Sequence, residues 1–133
     1  MELKRVVVTG LGALTPIGND LESYWNALLN GESGAGPITH FDAAKFKTRF
    51  ACEIKNFNVN DHIERKEARK MDKFTQFAMV VAEEAVQHAK LDFDQLDPDR
   101  IGVIWGAGIG GLETFQKEVQ AYDPEKGPRF NPF

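Results

Sequence analysis

The sequence predicts a layered α/β fold with a mostly parallel sheet. Residues 5–9 and 101–105 are apolar without alternation, and each run closes on glycine, as strands covered on both faces do. Helical periodicity follows each run, and a long apolar helix lies between them, so the order strand, helix, strand, helix, strand, helix emerges. No short-period internal repeat interrupts it.

The elements follow in chain order. Arg5 to Thr9 is the first strand, stopped by Gly10. Asn19 stands three residues before Glu22, the spacing of an N-cap answered by an N3 carboxylate. Leu21, Trp25, Leu28 and Leu29 then share one helical face, expected to pack on the sheet, and Gly31 supplies the stop. Residues 31–48 are turn-rich. Phe50, Cys52 and Ile54 alternate with Ala51, Glu53 and Lys55, which predicts a half-exposed strand near a sheet edge. After the charged run 61–71, Asp72 is a candidate N-cap. FTQFAMVVAEEAVQHAKL is a long helix, its first half apolar on most sides and so expected to be largely buried. LDPDR is a turn and IGVIWGAG another strand. LETFQKEVQAYD is a helix with Leu112, Phe115, Val119 and Tyr122 on one face.

Length and composition bound the function. At 133 residues with 42% hydrophobic side chains, the chain has the material of one ordinary domain. A net charge of −4 gives no general attraction to nucleic acid or to an anionic membrane. Three valines before Thr9 do not make a signal-peptide core, and no run is long enough to span a bilayer. The single cysteine, Cys52, cannot form an internal disulfide, which fits a reducing compartment. The expectation is a soluble, cytoplasmic protein. The ending AYDPEKGPRFNPF is either a loose tail or a segment of a longer chain that buries Phe130 and Phe133; burial preference favours the second.

Two glycine loops invite a phosphate-binding reading. In TGLGALTPIG, Gly10 and Gly12 suit the dinucleotide-binding fingerprint, but Thr15 occupies the third glycine position and Pro16 removes an N–H donor. A structural turn is the better account, and a nucleotide-binding module is disfavoured. Residues 106–111, GAGIGG, lack the Lys-Ser/Thr end of a P-loop. Ile109 stands there as an isolated bulky side chain, either a plug in the core or a pocket wall able to move.

Arg65, Lys66, Arg69, Lys70 and Lys73 concentrate positive charge within an acidic chain. On a continuous helix they fall within an arc of roughly 140°, leaving Glu67 and Asp72 outside. Such a stripe is either an ordinary solvated face or a steering surface for an anionic partner. Interleaved aromatics for nucleic acid are missing, so a small acidic protein carrying a tethered substrate fits better. A break near Met71-Asp72 would take Lys73 out of the stripe.

Catalytic groups are scarce. Cys52 lies in a strand pattern with no glycine-bounded turn to project it, and reads as structural. His40, His62 and His88 have no metal-ligand spacing with one another or with Cys52. The residues by themselves show pockets and a docking face but no reaction centre.

The ordered set VVVTGLGALTPIGND, LLNGESG, HFDAAKFKTRFACEIKNF, RKEARKMDKFTQFA, DPDRIGVIWGAGIGGLET and GPRFNPF resembles the amino-terminal part of a β-ketoacyl-acyl carrier protein synthase, type II rather than type I. The resemblance runs the length of the chain. It implies a thiolase-like fold of αβαβα layers, of which residues 1–133 are the amino-terminal portion of the first half. It also implies acyltransferase chemistry, the decarboxylative condensation of acyl groups with malonyl-acyl carrier protein in fatty-acid elongation. In that family the nucleophilic cysteine and a histidine pair do the chemistry; Cys52 and the three histidines do not match them. The expectation is a fragment that ends before the catalytic cysteine and is inactive alone. The alternative is a non-catalytic, chain-length-factor-like partner that keeps the fold. By the same resemblance Lys66, Arg69 and Lys70 match the carrier-protein docking patch, and Ile109 and Phe133 match acyl-pocket residues. The implied partners are acyl carrier protein, acyl and malonyl thioesters and a second subunit in a homodimer, without nucleic acid or membrane. No cofactor or metal is expected, the substrates arriving on the carrier's phosphopantetheine.

Overall fold

The computed structural model describes residues 3–127. Its elements are α1 (Leu21–Leu29), β1 (Ala35–Pro37), β2 (Phe50–Cys52), α2 (Arg65–Ala68), α3 (Lys73–Ala89) and α4 (Leu112–Ala121). The described residues sort into two compact units, 3–57 with 81–96 and 58–80 with 97–127.

In the first unit, α1 begins one residue later than the spacing of Asn19 and Glu22 predicts. Asp20 is the N-cap: its carboxylate accepts the Ser23 N–H at 2.8 Å, and the Ser23 hydroxyl accepts the Asp20 N–H at 3.4 Å. This reciprocal box holds the Asp20 carboxyl below its ordinary value, chiefly through the Ser23 backbone bond. Asn19 instead donates to the Lys55 carbonyl at 2.8 Å. Gly31, at φ +68°, stops the helix as expected. The face of Leu21, Trp25, Leu28 and Leu29 is not packed on a sheet, however. Trp25 is 58% exposed, and the one buried residue of the helix is Ala27.

The strand expected at 50–54 is shorter, covering Phe50–Cys52, and its partner lies in the turn-rich stretch. β1 and β2 pair antiparallel with Ala35 opposite Cys52, Gly36 opposite Ala51 and Pro37 opposite Phe50. Phe50 and Cys52 face outward and Ala51 is the half-buried residue. This ribbon is the only sheet among the described residues.

The two predicted parallel strands are therefore a correction. Residues 5–9 and 101–105 form no ladder among the described residues, and Val6 is 89% and Ile104 99% exposed. A strand is held by a neighbour's N–H and C=O groups, and a parallel strand also needs both faces covered. Neither segment meets those conditions here.

What does hold residues 10–13 is the C-terminal part of α3, in the same unit. A Cβ added to Gly10 would overlap the Ala85 carbonyl oxygen, and one on Gly12 would overlap that of Val81. The glycines serve close approach of loop to helix rather than a phosphate. Gly10→Ala is expected to cost about 1–3 kcal/mol through forced separation of the two backbones. Gly36→Ala, where a Cβ would meet nothing within 4 Å, is the control, and a lower unfolding midpoint for the first variant alone is the readout.

In the second unit, the charged run does not form one helix with α3. α2 spans four residues, and the bonds that close it, Lys70 N–H to Glu67 and Met71 N–H to Ala68, are of the tighter i to i+3 kind. The Gln76 side chain then donates to the carbonyls of Ala68 at 2.8 Å and Met71 at 3.2 Å. Those carbonyls thus find a side chain instead of a continued helix. Asp72 restarts the chain, its carbonyl accepting the Thr75 and Gln76 N–H groups.

α3 is half-buried rather than largely buried: Val80 is its one buried residue, and Phe74 and Met79 remain exposed. LDPDR becomes a 3₁₀ turn at Pro98–Arg100, opened by Asp97 accepting the Asp99 N–H; matching turns open at Asn58 and Asp92. α4 forms as predicted, but Leu112, Phe115, Val119 and Tyr122 are all exposed. Phe130 and Phe133 lie outside the described residues.

Candidate functional site

Three local arrangements contain the residues singled out from the sequence. In the first unit, the loop after Gly10 is clasped by two α3 side chains one helical turn apart. Glu84 accepts the Ala13 N–H on Oε2 at 2.7 Å and the Leu21 N–H on Oε1 at 2.6 Å, and His88 Nδ1 accepts the Leu11 N–H at 3.0 Å. The N–H groups that a phosphate would need are thereby committed to protein acceptors. Periodicity did not single out Glu84. No signal in the sequence sets it apart, because Glu83, Gln87 and His88 stand on the same turns of the helix. Beside the clasp lies a cleft of about 640 Å³, lined by Leu11, Leu21, Trp25, Glu84, Gln87 and His88.

The second arrangement is the cationic segment. Lys66 lies in α2, Arg69 caps it and Lys70 follows, all exposed. A spacing of three or four would align these three on a continuous helix, but α2 ends at Ala68, so they are a local cluster of exposed cations at its end. The five-residue stripe is not formed, because the break at Met71-Asp72 sends Lys73 elsewhere, onto Glu113 at 3.1 Å. Lys70 pairs with Glu67 at 2.6 Å, whereas Arg65, Lys66 and Arg69 make no ion pair among the described residues. An exposed pair such as Lys70–Glu67 contributes about 0–1 kcal/mol, so the ammonium stays available to a stronger anion.

The third is the glycine loop 106–111 with the turn that restarts the chain at Asp72. Ile109 is 79% exposed, so it plugs no core among the described residues. Gly111 sits at φ +76° as the N-cap of α4. On the first turn of α4, Thr114 donates its hydroxyl to Asp72 Oδ2 at 2.6 Å. Glu113 takes Lys117 at 2.7 Å and Lys73 at 3.1 Å, and those ammonium groups, Lys117 first, hold its carboxyl below the ordinary range. The structure brings Ile109 and the residues around Asp72 into one unit. Asp72, Phe74 and Thr114 were not legible as a group, since no sequence spacing relates residues so far apart.

The remaining candidates are dispersed. Cys52 is a free, exposed thiol on β2. His40 approaches Glu53 at 3.9 Å, and His88 belongs to the clasp. No group of three or more His, Cys, Asp or Glu among the described residues could hold a metal ion. No helix among them is long and apolar enough to cross a membrane. The described residues therefore offer an exposed cationic segment and a glycine-bounded apolar side chain, without a nucleophile placed beside a base.

Residues 3–132 match the family described as "Beta-ketoacyl synthase, N-terminal domain". The chain is 53% identical over 127 residues to the 3-oxoacyl-[acyl-carrier-protein] synthase 2 of Staphylococcus aureus (strain COL), covering 95% of this chain and 30% of that protein. It thus spans about 30% of the length of that curated relative. Among solved structures, the ishigamide ketosynthase/chain length factor is similar at 38% identity and TM-score 0.62, over 68% of this chain and 22% of that one. A chain of the AntDE:AntF complex, described as a type II PKS acyl-carrier protein in complex with its ketosynthase bound to the hexaketide, matches at 30% identity and TM-score 0.67, over 86% of this chain and 30% of that one. The layered α/β class read from the sequence is that of these ketosynthases.

Proposed function

The chain belongs to the β-ketoacyl synthase family, and from that premise we propose that it is the amino-terminal part of a 3-oxoacyl-acyl carrier protein synthase II, a condensing acyltransferase of fatty-acid elongation. In that reaction an acyl group passes from the carrier's thioester to an enzyme cysteine, freeing the carrier thiol. Malonyl-carrier then loses carbon dioxide. The electron pair left on its α-carbon attacks the acyl-enzyme carbonyl, the cysteine leaves as thiolate, and 3-oxoacyl-carrier is formed.

The observation that carries this reading is the exposed cationic cluster of Lys66, Arg69 and Lys70 on a chain of net charge −4. It is the surface an acidic carrier protein would need, and a ketosynthase similar to this chain was solved with its acyl-carrier protein. In this proposal Ile109 and Phe133 line the acyl pocket. The cysteine nucleophile and the histidine pair lie outside residues 1–133. The complete protein works as a cytoplasmic homodimer without cofactor or metal, taking its substrates on phosphopantetheine. A second reading, a chain-length-factor-like partner without the nucleophile, is favoured by one specific likeness, that to the ishigamide ketosynthase/chain length factor.

The test compares the 133-residue chain with the complete protein in malonyl-carrier-dependent elongation. The complete protein is expected to elongate acyl-carrier, and the chain alone to show no condensation above background. Acyl transfer by the chain alone would defeat the fragment reading. A complete protein that neither takes up acyl groups nor elongates them supports the second reading instead.

A further inference from the structure

We propose that the first turn of α3 fixes the position of the Gly106–Gly111 loop, with Asp72 and Thr114 as positioning residues for Ile109, and thereby sets which acyl-chain lengths are accepted. This rests on the reading of Ile109 as an acyl-pocket residue.

Three successive residues meet the loop and the helix that follows it. The Thr114 hydroxyl donates to Asp72 Oδ2 at 2.6 Å, a short bond to an ionised acceptor and one of the stronger kinds available to a hydroxyl. Lys73 reaches Glu113 at 3.1 Å, with both side chains about half exposed, so this contact adds little. The Phe74 ring lies on Gly110 so closely that a Cβ there would stand 2.9 Å from its Cδ1 and Cε1 atoms. Elsewhere the loop is open, because a Cβ at Gly106 or Gly108 would meet nothing within 4 Å. Ile109 therefore sits between a free stretch and an anchored one. The anchor begins at the next residue, Gly110, and passes through the left-handed Gly111 into α4. The freedom lies in the flanking glycines and not in the β-branched Ile109, so the place of its side chain is dictated by where that anchor stands.

The experiment measures kcat/KM of the complete synthase over acyl-carrier substrates from short to long, for Thr114→Val, Thr114→Ser, Asp72→Asn and Ile109→Ala. Thr114→Val is expected to shift the long-to-short ratio by about five- to tenfold while the KM for malonyl-carrier stays within about twofold. Thr114→Ser, which keeps the hydroxyl, restores the profile, and Asp72→Asn shifts it in the same direction. An unchanged ratio, or a loss equal at every chain length, overturns the proposal; should Thr114→Val fail to accumulate, Asp72→Asn decides by the same criterion. Ile109→Ala separates the two layers of argument. If it changes the profile and the Thr114 and Asp72 variants do not, only the positioning role fails. If it leaves the profile unchanged, the acyl-pocket reading fails and the proposal falls with it.

Discussion

Purified alone, the 133-residue chain is expected to self-associate at micromolar concentration rather than sediment as a 14.9 kDa monomer. Among the described residues the buried apolar set is Ala27, Ala43, Ala68 and Val80, three of them alanines. Against this stand exposed Val6, Val8, Val103, Ile104, Trp105, Leu112 and Phe115, several of them consecutive. Each large apolar side chain left in water forgoes about 1.5–3 kcal/mol of burial, and folding stability is normally only about 5–15 kcal/mol in total. A second copy offers the cheapest cover, and unpaired segments such as 5–9 add backbone groups open to pairing. Sedimentation velocity and binding of a hydrophobic dye would report this. A monodisperse monomer with a cooperative melt would contradict it.

On the proposed carrier-docking reading, reversing the charges of the cationic cluster should have the next largest effect. In the complete synthase, Lys66→Glu, Arg69→Glu and Lys70→Glu together are expected to raise the KM for acyl-carrier about ten- to a hundredfold, because attraction to an acidic partner becomes repulsion. The increase should shrink as salt is added, since the three side chains are exposed and screening acts on them fully. Transfer of the acyl group to the enzyme from a carrier-free acyl thioester, measured without malonyl-carrier, supplies the control. Its rate should be unaltered, which distinguishes lost docking from lost folding. Unchanged KM and unchanged affinity for the carrier would remove the docking assignment.

Helices were legible in the sequence where their information is local. α1, α3 and α4 declare themselves through apolar spacing of three and four, and Gly31 through the backbone its position requires. The start of α1 was displaced by one residue because Asn19 and Asp20 are both good caps; what selects Asp20 is Ser23, positioned to return the hydrogen bond. The strands at 5–9 and 101–105 could not be settled locally, since a strand exists through its neighbour. The basic face was half legible. Composition identified the cations, but the break after Met71 depends on Gln76 reaching back to two carbonyls, which no charge pattern reveals. The contacts of Asp72 with Thr114 and of Phe74 with Gly110 join distant parts of the chain and were invisible for that reason.

The Glu84 clasp bears on how this segment can vary. One carboxylate receives the N–H of Ala13 on one oxygen and that of Leu21 on the other. Residues 14–20 are thus an excursion pinned at both ends to the same group. Within that excursion Asp20 caps α1, Asn19 reaches the Lys55 carbonyl and Thr15 bridges Gly18, so a change of length there displaces the cap of α1 along with the loop, and replacing Glu84 would release both ends at once.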